Sequence, residues 1–206
     1  MEFHMVRHHY FTKMMMMMKY FPILTLLFLS IGCSLKKPDN DQVSTIDSTK
    51  NAYIQLTTEF INAVVKKEKF LLADEPFNFN AFDCLVELKN DTLTFTKSEI
   101  NYILKEQSLK PIKKWTKDLL PNSKIIAQDS INNIFKDRTK GWNYFYKNIG
   151  QSFETFSNPI FVRNNTYCIF YKSNSCGWLC AGGNLSVYKK EGNNWIVIKS
   201  YCNWVS

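Results

Sequence analysis

Four segments near the C-terminus, residues 159–163, 166–172, 185–190 and 195–202, constrain this chain more than any other feature of it. Each is rich in β-branched and aromatic residues, the side chains that suit a pleated, half-buried surface. Asn164-Asn165 separates the first two and Glu191-Gly192-Asn193-Asn194 the last two, and both spacers are turn-forming. Four antiparallel strands in a C-terminal meander are therefore predicted. Counting outward from the second turn sets Lys190 opposite Trp195 and Gly183 opposite Cys202.

The preceding residues read mostly as helix. Tyr53, Leu56, Phe60 and Val64 recur on one helical face with Ile61 and Val65 beside them, which predicts a helix over 47–69. Lys66, Lys67 and Lys69 would then face the negative end of its dipole. Cys84, Val86 and Leu88 alternate, Asn90-Asp91 is turn-forming, and Leu93 and Phe95 alternate again, so 83–95 is expected to be a hairpin. Thr96-Lys97-Ser98-Glu99 is a capping box opening a short helix with Ile100, Ile103 and Leu104 inward. Residues 110–122 read as a loop around Pro111, Trp115 and Pro121, followed by an apolar run at 125–127. Asp129 is placed to cap a helix carrying Ile131, Ile134 and Phe135. The cluster Trp142, Tyr144, Phe145 and Tyr146 is read as core in preference to a ligand-stacking surface. The expected fold class is α+β, with N-terminal helices packed on a mainly antiparallel sheet.

At the N-terminus Lys19 precedes the apolar run 20–31, which ends in Gly32 and Cys33. This is the layout of an export signal. A run of about a dozen residues falls short of the roughly 20 that a membrane-spanning helix needs. The box Leu29-Ser30-Ile31-Gly32-Cys33 resembles the bacterial lipoprotein signal, with Ser30 where Leu is usual. The resemblance implies cleavage before Cys33 and a lipid on its thiol. With two or three acyl chains such an anchor holds firmly. The five methionines Met14 to Met18 suggest that translation starts at one of them, Met18 by preference, leaving 1–17 outside the natural protein. The expected organisation is a signal over 1–32, a flexible tether over 33–46 and one globular domain over 47–206. A thirteen-residue coil such as 34–46 reaches roughly 20 Å.

Without Glu2, Arg7, Lys13 and Lys19 the remaining chain carries a net charge of about +6. Over the full chain lysines outnumber arginines 23 to 3, so the excess is hydrated point charge and not the planar forks that read phosphate bidentately. A solvated surface is the preferred reading, anionic glycan or lipid headgroups the lesser one, and nucleic acid is not expected as a partner.

Five cysteines follow Cys33: Cys84, Cys168, Cys176, Cys180 and Cys202. An oxidising compartment permits disulfides, and an odd number leaves at least one thiol unpaired. The strand count places Cys202 at the sheet end that holds the loop with Cys176 and Cys180, so the bridge is expected between two of these three. Cys168, in mid-strand, is expected to pack as a small apolar residue. In Cys176-Gly177-Trp178-Leu179-Cys180 three residues separate the cysteines within a strand-to-strand loop. Thioredoxin-like motifs have two and sit at a helix start. A zinc site wants four nitrogen or sulfur ligands. A structural clasp is preferred to redox or metal chemistry, and no cofactor or metal is expected.

His4, His8 and His9 all precede the signal, so the chain after Cys33 has no histidine. That excludes a Ser-His-Asp triad, a Cys-His pair and His-ligated zinc from it. Carboxylate chemistry on a glycosidic bond survives as the alternative, with Asp74, Glu75, Asp83 and Glu87 the local acidic grouping. No catalytic residue is assigned. Residues 156–206, with NPIF, the CGWLC loop, a Lys-Glu-Gly turn and the closing CNWVS, resemble uncharacterised lipoproteins of Gram-negative envelopes. The resemblance implies an address and no activity. Ser34, where Asp would imply inner-membrane retention, implies the outer membrane. The expected function is a lipid-anchored, non-enzymatic envelope module that binds a protein or glycan through Trp178, Leu179 and Trp204.

Overall fold

The computed structural model describes residues 40–65, 69–79 and 84–206, with side chains from residue 48 onward. Helix α1 (Asn40–Val64) begins seven residues earlier than the periodicity suggested, so 40–46 are helical and not coil. Its C-terminal end also comes early, at Val64; Lys66 and Lys67 lie outside the described residues. Strand β1 (Phe70–Ala73) follows, and then α2 (Cys84–Asn90) stands where the hairpin over 83–95 was expected. The alternation of Cys84, Val86 and Leu88 is misleading there. The buried residues are Cys84, Leu85 and Leu88, a helical i, i+1, i+4 face, while Val86 and Leu93 are exposed.

Helix α3 (Lys97–Glu106) starts as its sequence demands. The Glu99 amide donates to Thr96 Oγ1 and the Thr96 amide to Glu99 Oε2, satisfying two otherwise orphaned donors. Strand β2 (Ser123–Ile126) leads into α4 (Gln128–Lys136) and α5 (Gly141–Asn148). Asp129 does not cap α4: it lies in the first turn, and the N-cap residue is Ala127. The remaining strands are β3 (Phe153–Phe156), β4 (Ile160–Val162), β5 (Tyr167–Ser175), β6 (Ala181–Glu191) and β7 (Asn194–Val205).

The seven strands form one mixed sheet in the order β2-β1-β3-β5-β6-β7, with β4 also pairing to β5. β1 runs parallel to β2 and to β3, while β3 and β4 are antiparallel to β5, β5 to β6 and β6 to β7. The α+β class is therefore what the chain adopts, with a sheet more mixed than expected. The β6–β7 register opens as counted, with Lys190 opposite Trp195, and then shifts between Val187 and Tyr188 and between Gly183 and Leu185. Each shift inserts one extra residue in β7, so Gly183 faces Trp204 and not Cys202.

Side chains alternate across the sheet and divide the core in two layers. One face buries Phe156, Cys168, Phe170 and Tyr188 under Phe60 and Ile61 of α1. Phe60 makes edge-to-face contacts with Phe161, Phe170, Tyr188 and Trp195. The other face carries two clusters. Ile169, Tyr171, Leu185, Val187 and Tyr201 pack with α2 and α3, and Ala73 and Ile126 pack with Ile131, Ile134, Trp142 and Phe145 of α4 and α5.

Candidate binding surface at the clasped hairpin tip

β5 and β6 are joined by residues 176–180. The Cys176 amide donates to the Cys180 carbonyl at 2.7 Å, and a disulfide joins the two side chains. The clasp closes a loop too short to bury its own side chains, so Trp178 and Leu179 project outward, 79% and 88% exposed.

The tip is propped by α5. Tyr146 donates its hydroxyl proton to the Cys176 carbonyl at 2.7 Å. Its ring stacks on Trp142 at 5.6 Å, and Trp142 in turn stacks on Phe153 of β3. The tip is thus linked through Tyr146 to the core beneath α4 and α5. Gly177 is required by that approach, because a Cβ there would stand 2.8 Å from Tyr146 Oη. The Trp178 ring extends toward the start of α5, with its Cζ2 3.8 Å from where a Cβ on Gly141 would lie. Val205, at the end of β7, pairs with Gly182 and is 90% exposed at the same sheet end.

Trp204 does not join this surface. It is half-buried, and its Nε1 donates to the Tyr171 hydroxyl at 3.1 Å. The shifted register of β7 explains the difference, since it sets Trp204 across from Gly183. Tyr146 takes part in its place. Its i, i+4 spacing from Trp142 was the sequence signal for a shared helical face.

Four of the five described cysteines form two bridges. Cys176 pairs with Cys180, and Cys202 pairs with Cys84 on α2, outside the trio among which a bridge was expected. Cys168 is free and wholly buried, as the second residue of β5 and not in mid-strand, and burial pushes its thiol pKa well up. Cys33 lies outside the described residues, as does Asp83.

The acidic residues are dispersed. Asp74, at the end of β1, accepts from the α4 amide of Gln128 at 2.7 Å and pairs with Lys114 at 2.7 Å. Burial opposes its ionisation, but the Lys114 and Gln128 bonds outweigh it and hold its pKa low. Glu75 is exposed, and Glu87 on α2 accepts the Cys202 amide of β7. Four strand spacings separate β1 from β7, roughly 19 Å. Paired glycosidase carboxylates stand about 5–10 Å apart, so Asp74 and Glu87 do not form such a pair. Among the described residues no three His, Cys, Asp or Glu side chains gather as a metal site, and no helix is long and apolar enough to cross a membrane.

Comparison with protein families, curated proteins and solved structures returned no match.

Proposed function

We propose that this chain is a lipid-anchored protein of the cell envelope, held through Cys33, whose folded part binds an envelope protein or glycan through the β5–β6 tip. The observation that carries the binding surface is the near-complete exposure of Trp178 and Leu179 on a loop fastened at both ends. Burying a large apolar side chain is worth about 1.5–3 kcal/mol. A rigid loop that withholds two of them from its own core offers that free energy to a partner, and the clasp lowers the ordering cost of association. Tyr146 adds an aromatic ring with a hydroxyl beside them.

The anchor rests on the box ending in Cys33, and Ser34 supports the outer membrane as its destination. We also read the architecture as N-terminal helices laid on a sheet that closes in a four-strand meander, which the successive pairings of β4, β5, β6 and β7 support.

Two measurements test the proposal. Palmitate labelling of the full chain should be lost in Cys33→Ala, and labelling that persists unchanged overturns the anchor. Crosslinking in envelope fractions should give a specific adduct that W178S/L179S loses. An adduct pattern indifferent to both substitutions removes the tip as the binding surface.

A further inference from the structure

The sheet face beneath α1 changes character where the helix ends. Along β5 the residues on that face run Cys168, Phe170, Lys172, Asn174, and along β6 they run Tyr188, Ser186, Asn184, Gly182. On β3, Phe156 gives way to Glu154. The register lines these up in two rungs. Glu154, Asn174, Gly182 and Val205 form one, and Phe156, Lys172 and Asn184 the other. Beside Val64 and Val65 the rungs floor a groove of about 450 Å³, within the range of small-molecule sites.

The hydrogen-bonding capacity of this floor is only partly used. Asn174 Nδ2 donates to Glu154 Oε1 at 2.9 Å, which leaves the Asn174 amide oxygen as an acceptor. Asn184 is oriented the opposite way. Its Oδ1 accepts from Ser186 Oγ at 3.0 Å, which leaves its amide hydrogens as donors. Lys172 and Asn203 line the same groove and make no side-chain bond among the described residues. Glu154 is 6% exposed, so the carboxylate that orients Asn174 is itself fixed. Gly182 keeps the floor low: a Cβ there would stand 3.2 Å from the Trp204 carbonyl oxygen and 3.5 Å from Val205 Cγ1.

We propose that this groove binds a neutral, hydroxyl-rich saccharide. One carboxylate and one ammonium cancel in charge, and the other polar side chains of the lining, three asparagines with Ser173 and Trp204, are neutral, so nothing in it selects an ion. Donors and acceptors alternate on a rigid sheet at about 5 Å across strands and 7 Å on the diagonal. A ligand that satisfies such an array carries groups that both donate and accept at several points of a rigid ring, which is the chemistry of sugar hydroxyls. The groove is separate from the tip, because none of its lining side chains belongs to residues 176–180.

The test uses the full chain, titrated calorimetrically with N-acetylglucosamine tetramer, cellotetraose and maltotetraose. At least one should bind saturably at millimolar concentration or below, and N184L/N203L, which keeps the branched side-chain skeleton while removing the amides, should weaken it at least tenfold. W178S/L179S should bind the sugar as the parent does. Thermal melts of both variants confirm that they are folded. Absence of saturable binding to all three sugars, or equal binding by N184L/N203L, overturns the groove. Binding lost in W178S/L179S and kept in N184L/N203L places the sugar at the tip, which overturns this inference and leaves the proposed function standing.

Discussion

Cys202 occupies a bulge in β7, at φ +44°, and is disulfide-bonded to Cys84, the first residue of α2. The bond lies among other ties between the same two elements. Glu87 of α2 accepts the Cys202 amide, and Asp91, just past the helix, accepts from the Tyr201 hydroxyl and pairs with Lys199 at 2.7 Å. The last strand of the chain is thereby fastened to a helix 118 residues earlier.

That separation sets the expected effect of cutting the bond. In the chain-entropy account, closing a loop of this length stabilises by about 3–5 kcal/mol, against about 2 kcal/mol for the short loop between Cys176 and Cys180. C84S/C202S should lower the melting temperature by about 10 °C, about twice the effect of C176S/C180S. A non-reduced digest should yield both linked peptides, with Cys168 alkylated only after unfolding. Equal melting temperatures for the two double variants would contradict the assignment.

Acid should weaken the same region. Arg163 donates two hydrogen bonds to Glu99, and the Thr96 amide a third, and together they hold its carboxyl down at about 2. For Asp91, burial opposes ionisation, but bonds from Lys199, Thr94 and Tyr201 prevail and hold it far below the usual range. Both groups have folded values below their unfolded ones of about 4. Their stabilisation is complete above that value and is lost as pH falls from about 4.3 toward 2. Denaturant midpoints should therefore drop steeply over that window. E99Q should flatten part of the slope and cost on the order of 1 kcal/mol at neutral pH, whereas D91N, which alters a buried carboxylate paired to an exposed Lys199, should cost more, about 2 kcal/mol. A profile unchanged by E99Q would remove Glu99 from the account.

How much of this was readable in the sequence depended on how local the deciding interaction was. The capping box at Thr96 and Glu99 involves groups three residues apart, and the turn at 191–194 fixes its own flanking pairs, so both were legible. Helix α2 was not. Its seven residues hold Leu85 and Leu88 against the sheet by contacts with distant strands, and the local alternation favoured the wrong period. The bulges of β7 move Trp204 and Cys202 out of their counted positions, and nothing in the strand's own composition announces them. Likewise the spacing of Cys176 and Cys180 suggested a clasp, but the Tyr146 prop follows only from α5 packing beside that sheet end.

Asp74 supplies the cap that α4 lacks in its own sequence. Ala127 has no side-chain acceptor, and the Gln128 amide is satisfied instead by a carboxylate from the end of β1, which Lys114 also grips. Losing a cap costs about 1 kcal/mol, and stranding a buried donor adds about 1–3 kcal/mol. D74A should therefore destabilise by about 2–4 kcal/mol in urea titration, and D74N by less, because its amide oxygen can still accept from Gln128. Equal losses in the two variants would show that the charge pairing with Lys114, and not the cap, is what Asp74 provides.

The tip should separate stability from binding. A buried Trp truncated to a small residue costs about 3–5 kcal/mol. Trp178 is 79% exposed, so W178S should cost within about 0.5 kcal/mol. Tyr146→Phe keeps the stack on Trp142 and removes only the hydrogen bond to the Cys176 carbonyl, so its stability loss should stay near 1 kcal/mol. Its effect on residues 177–180 should be larger, seen as faster amide exchange there while β5 and β6 keep their protection. If preorganisation gives the tip its affinity, Y146F should weaken partner crosslinking with Trp178 and Leu179 both intact. Faster exchange at the tip with undiminished crosslinking would show that the exposed side chains alone suffice and that the prop serves only to close the fold.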